Sequence, residues 1–107
     1  MKKVESFSRE VANNILLKCE KEGYIRGWKR FHHCNAWISE CYLNRYFLIR
    51  SYDTIVGIID DQQGILIELG KWSRTTSKQV TQIYNMPDYE SYNEYGFTKC
   101  IKRVLVS

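Results

Sequence analysis

The sequence predicts an α+β fold. The expectation is an antiparallel sheet of about four strands, an N-terminal helix and a second helix after a hairpin, with the helices packed on one face of the sheet. Three observations carry it. Apolar residues recur at helical spacing over Ser8–Glu22, aromatic and β-branched runs broken by turn residues fill Ala36–Leu69, and a hydroxyl-rich helix start follows at Ser73–Tyr84. At 107 residues the chain (1–107) is expected to form one domain whose core needs neither metal nor disulfide.

In the first helix Val11, Ile15 and Cys19 recur every four residues, with Ala12 and Leu16 beside them. Ser8 can accept a hydrogen bond from a free amide of the first turn, Glu10 favours the positive end of the helix dipole, and Gly23 supplies a left-handed stop. Residues 24–34 carry no settled pattern: Tyr24, Trp28 and Phe31 have helix-compatible spacing, but Gly27 interrupts them. Ala36–Leu43 and Tyr46–Ser51 read as strands with Asn44 and Arg45 as a turn between them. Tyr52–Ile59 follows as a strand in which Thr54, Val56 and Ile58 alternate against Ile55 and Ile59. Asp60–Gly64 is the clearest turn, and Ile65–Leu69, apolar on both faces, reads as a central strand.

Thr76 and Gln79 have capping-box spacing at the start of the second helix, which buries Val80, Ile83 and Tyr84, and Pro87 lies just beyond its end. Phe97–Val106 fits either a helix or an edge strand. There is no internal repeat and no low-complexity tract.

Composition narrows the function classes. No apolar segment follows the basic start Met1-Lys2-Lys3, and no apolar run approaches membrane-spanning length, so neither a signal peptide nor a membrane partner is expected. The cysteines, at 19, 34, 41 and 100, have no CxxC spacing and are expected to be reduced in a cytoplasmic protein. His32-His33-Cys34 with Cys41 suggests a metal cluster at first sight. Adjacent histidines rarely converge, however, and no second short-spaced pair exists, so no metal and no cofactor is expected. A Cys34 nucleophile served by a neighbouring histidine fares no better, since nothing supplies an oxyanion hole, and the chain reads as a non-enzyme.

The net charge of +4 is unevenly spread. Residues 24–50 hold Arg26, Lys29, Arg30, Arg45 and Arg50 against Glu40 alone, interleaved with Trp28, Trp37, Tyr42 and Tyr46. Cations tracking phosphates beside stacking aromatics would suit nucleic acid or a guide-RNA complex, whereas the plainer reading makes the aromatics core and the cations a wet face. Asp88, Tyr89, Glu90, Tyr92, Glu94 and Tyr95 form the opposite kind of surface, an acidic tyrosine face able to imitate a phosphate-and-base pattern toward a basic groove. Arg74, Thr75, Thr76 and Lys78 at a helix start are a candidate anion site, against which stands simple helix capping.

The pattern Tyr52-x-Thr54-x-Val56, then a hairpin, then Trp72-Ser73-x-Thr75-Thr76-Ser77-x-Gln79 resembles a group of small accessory proteins of phages, plasmids and integrative elements, over about residues 51–84. The resemblance implies a mobile-element protein acting in the cytoplasm of a bacterial host. Small proteins of this kind often disable host defences by binding; anti-CRISPR proteins are similar in being short, cofactor-free and without catalytic motifs. The implied partner is a CRISPR nuclease or another nucleic-acid-handling complex. The alternative is a regulatory module that binds nucleic acid directly.

Overall fold

Helix α1 (Arg9–Gly23) starts where the Ser8 hydroxyl accepts a hydrogen bond from the Val11 amide at 3.4 Å. The computed structural model describes residues 7–23 and 25–106; Tyr24, counted above in the aromatic spacing, lies outside them. α1 buries Ala12, Ile15 and Cys19, while Val11 stays 46% exposed. The apolar stripe is therefore rotated from the expected one, with Ala12 in place of Val11.

Six strands form one sheet in chain order: β1 (Lys29–Arg30), β2 (Ala36–Ile38), β3 (Tyr46–Ser51), β4 (Thr54–Asp60), β5 (Ile65–Glu68) and β6 (Lys102–Leu105). Neighbours from β1 to β5 are antiparallel, but β5 and β6 run parallel. The α+β class holds. The sheet is mixed and larger than the antiparallel one of about four strands expected, because residues 69–101 carry the chain, with its remaining helices, across one face before it pairs again. A crossover of that kind is what returns a strand parallel.

The helices do not share a face. In β3, Phe47 and Ile49 join an apolar cluster with Val80, Ile83, Met86 and Phe97, whereas Leu48 between them joins another with Ala12, Ile15 and Cys19. Adjacent strand residues point to opposite faces, so α1 covers one side and α2 (Arg74–Tyr84) the other. Strand β4 serves both layers through a bulge: Ile49 pairs with Gly57 but Arg50 with Ile55, leaving Val56 extra. Val56 then faces the α2 side and Ile58 the α1 side, which breaks the expected alternation.

Three local expectations change as well. The strand expected over Ala36–Leu43 ends at Ile38, and the reversal centres on Leu43 and Asn44, both at positive φ, one residue before Asn44-Arg45. Ser73, not Thr76, caps α2, its hydroxyl accepting from the Thr76 amide at 3.3 Å. Of the two options for 97–106, the edge strand forms; its outer side meets Phe7, whose amide donates to the Leu105 carbonyl at 3.3 Å.

Between α2 and β6, Pro87 precedes a short helix α3 (Asp88–Glu90) that runs into a π-helical turn (Ser91–Tyr95). Gly96, at φ 90°, ends it by donating to the Ser91 and Tyr92 carbonyls. Only glycine adopts that conformation readily, and the reversal sends Phe97 into the α2-side core.

Candidate partner-binding surfaces

The acidic segment lies against β1 and the loop after it. Tyr95 turns inward, with its ring centre 6.1 Å from that of Phe31 and its hydroxyl donating to the Arg30 carbonyl at 3.3 Å. Burial pushes the Tyr95 phenol up from its ordinary pKa. Glu90 meets His32 Nε2 at 2.6 Å, and Lys29 Nζ donates to the Glu94 carbonyl at 2.6 Å. Asp88 Oδ1 accepts from the Lys99 amide at 3.2 Å. Held by these contacts, the turn leaves Tyr89 and Tyr92 72% and 65% exposed. Tyr89 and Asn93 form a ridge between two depressions. One is a cleft of about 430 Å³ shared with Arg30 and His33; the other, of about 500 Å³, is shared with Asp88 and Thr98. The acidic face and part of the basic face, separate in sequence, thus meet along one cleft.

The basic set does not act as one surface. The Arg45 guanidinium forms a two-pronged ion pair with buried Asp60, at 2.9 Å to Oδ1 and 2.8 Å to Oδ2. The Asp60 hydrogen bonds raise the pKa of Arg45 further. Arg45 is therefore a structural cation, a correction to its place in the basic face. Arg50 lies between Trp28 and Trp37, its guanidinium carbon 4.7 and 4.5 Å from their ring centres. Arg26, Lys29 and Arg30 remain exposed. The Arg26 amide donates to the Tyr42 hydroxyl, which itself donates to the Arg26 carbonyl at 2.5 Å.

The candidate anion site does not assemble as expected. Arg74, Thr75 and Lys78 face solvent, but Thr76 is buried. The Ser51 hydroxyl donates to Gln79 Oε1 at 2.9 Å, and the Thr76 hydroxyl lies 3.0 Å from Ser51. Thr76 and Gln79, two residues of the W-S-x-T-T-S-x-Q pattern, therefore pin α2 to the end of β3, and Thr76 has no hydroxyl to offer an anion. Sequence reasoning missed this network and the Arg45–Asp60 pair, since neither leaves a short-range spacing to read.

The thiols are poorly suited to nucleophilic work. Burial pushes Cys19 up to about 11 and Cys100 up to about 12, and it raises Cys41 as well. All four cysteines are free, and Cys34 Sγ donates to the Phe31 carbonyl at 3.1 Å. Among the described residues, no group of three or more His, Cys, Asp or Glu side chains is placed to hold a metal, and no helix is long and apolar enough to cross a membrane.

A family of unknown function, DUF8033, matches residues 6–97. The chain belongs to this family. The DUF8033 match runs from ahead of α1 to just past the π-helical turn, so it takes in the acidic, basic and anion-site candidates, and β6 lies beyond it. No curated protein and no solved structure matches the chain.

Proposed function

We propose that this DUF8033 protein is a non-enzymatic binding protein that docks its tyrosine ridge on a basic, nucleic-acid-binding groove of another protein and so blocks that groove. The observation that carries the reading is the exposure of Tyr89 and Tyr92 on a turn tied to β1 and its loop through the Glu94 carbonyl and the Glu90 carboxylate. Large aromatics held out from a rigid support have the character of binding anchors, because little conformational freedom is lost when they are buried. Asp88, Glu90 and Glu94 around them would steer the ridge toward a cationic partner. By contrast, Arg45 is engaged inside the protein with Asp60, so the basic set does not form one continuous nucleic-acid surface.

The resemblance to mobile-element proteins selects the first partners to test, the RNA-guided CRISPR nucleases of bacterial cytoplasm. Target cleavage by a panel of these nucleases is measured with increasing protein. The expected result is inhibition of at least one nuclease by the wild type and loss of that inhibition in Tyr89→Ala/Tyr92→Ala at an unchanged melting temperature. No inhibition across the panel, together with tight, salt-sensitive binding to bare DNA or RNA, would replace this reading with the nucleic-acid-binding regulator.

A further inference from the structure

Residues paired directly across neighbouring strands share a face of the sheet. Arg30 pairs with Trp37, and Trp37 with Arg50, so the three form one row across β1, β2 and β3. Ala36 and Ile38, on either side of Trp37, point into the α2-side core, which puts the row on the α1 side. The core does not absorb it there: Trp37 is half-buried and joins neither apolar cluster. Two guanidinium groups lie over its ring, Arg50 at 4.5 Å and Arg30 at 5.8 Å from the ring centre. Trp28, just before β1, flanks Arg50 as well, at 4.7 Å.

Arg50 differs from Arg45 in one decisive respect. Among the described residues its buried Nε has no hydrogen-bond partner, and no carboxylate pairs with Arg50 or Arg30. Buried donors are nearly always satisfied, so an orphan on a charged group calls for a missing acceptor. A guanidinium presents its donors as a planar fork that matches an oxyanion two bonds at a time. Here two indoles hold the fork's orientation in advance, and a second guanidinium lies on the same row. Two unneutralised charges suit the multiple charges of a phosphate better than the single charge of a carboxylate.

We propose that the row Arg30, Trp37 and Arg50, with Trp28, is a phosphate-binding site on the α1 side of the sheet, taking the phosphate of a nucleotide or of a nucleic-acid strand. Arg30 also lines the cleft beside the tyrosine ridge, whereas Trp28, Trp37 and Arg50 do not. Tryptophan fluorescence reads the site directly. Trp72 packs on the α2-side cluster, so a Trp72→Phe background leaves the two indoles of the site as reporters. The protein is titrated with inorganic pyrophosphate, a nucleoside triphosphate and a short single-stranded oligonucleotide, with glutamate as the carboxylate control.

A saturable change is expected with at least one phosphate ligand, with affinity falling about tenfold or more in Arg50→Gln and falling measurably in Arg30→Gln. Saturation by the oligonucleotide alone assigns the site to a nucleic-acid strand, and saturation by the triphosphate assigns it to a free nucleotide. If Arg50→Gln fails to fold, Arg30→Gln, at an exposed position, decides. A flat titration with all three phosphate ligands, undiminished affinity in the variants, or equally tight glutamate binding would overturn the proposal. Because Arg50, Trp28 and Trp37 do not line the ridge's cleft, Tyr89→Ala/Tyr92→Ala should leave the affinity and its loss in Arg50→Gln unchanged, which separates failure of this site from failure of the ridge.

Discussion

Residues 24–50 and 88–95 are alike in composition, each interleaving aromatics with one sign of charge, yet the fold uses them in opposite ways. Much of the first stretch is built into strands and their hairpins, which bring distant residues together: Arg45, just before β3, finds Asp60 on β4, and Arg50 finds Trp37 on β2. The Arg45 charge is there neutralised by an ion pair, while the Arg50 charge is held between indoles. The second stretch is a short helical turn at the edge of the molecule with only one side to bury. Tyr95 takes that side, and Tyr89 and Tyr92 are left in solvent. Whether a charged aromatic run becomes structure or surface therefore depends on how many neighbours its backbone supplies.

The sharpest test of that contrast is a pair of stability measurements on the buried side. Ile83 is 1% exposed in the α2-side cluster, and Ile83→Ala should cost about 2–5 kcal/mol. Arg45→Ala strands a buried carboxylate and should cost roughly 3 kcal/mol, the low end of the range for broken buried pairs, because the arginine side chain keeps 30% of its exposure. Urea denaturation measures both. A wild-type midpoint for Arg45→Ala would mean that the basic stretch is surface after all and would remove the contrast.

The same difference governs what could be read in advance. Both long helices were legible because their spacing and flanking residues are local: Ser8 and the Ser73–Tyr84 pattern lie within one or two turns of what they control. Strand β1 was not, since two residues, Lys29 and Arg30, are too few to show alternation. The opposite-face placement of the helices was written in the run Phe47-Leu48-Ile49, all three buried, but a continuous apolar run says only that both faces are covered, not by which helix. For the site, the exposed acidic tyrosines were visible as a cluster. Their meeting with Lys29 and His32 was not, because His32 and Glu90 are 58 positions apart.

A smaller effect comes from the buried thiols. Cys19 and Cys100 ionise at about 11 and about 12 in the folded protein against an ordinary 9.0. The unfolded chain therefore releases these protons first, and the stabilisation, fully present below about pH 9, is lost as pH rises through the folded values. Half-buried Tyr46 and Tyr95, also raised, add in the same direction. Denaturation midpoints at about pH 8 and about pH 10 should differ in wild type and differ less in Cys19→Ala/Cys100→Ala. An equal pH slope in the two proteins would show that these thiols are open to water.

The smallest stability effect is the one that matters most for function. Tyr89 and Tyr92 touch little of their own chain, so Tyr89→Ala/Tyr92→Ala should change stability by no more than about 0.5 kcal/mol per site. Glu94→Lys should be equally mild, because it is the Glu94 carbonyl, not its carboxylate, that holds Lys29. On a partner the ranking reverses. Removing an aromatic anchor should weaken the complex by about 2 kcal/mol or more, chiefly through faster dissociation, while Glu94→Lys should slow association and flatten its salt dependence. Surface plasmon resonance against an inhibited nuclease separates the two rates. If the tyrosine variants bind as wild type while losing stability, the ridge is packing, and residues 88–95 belong with 24–50 as structure rather than surface.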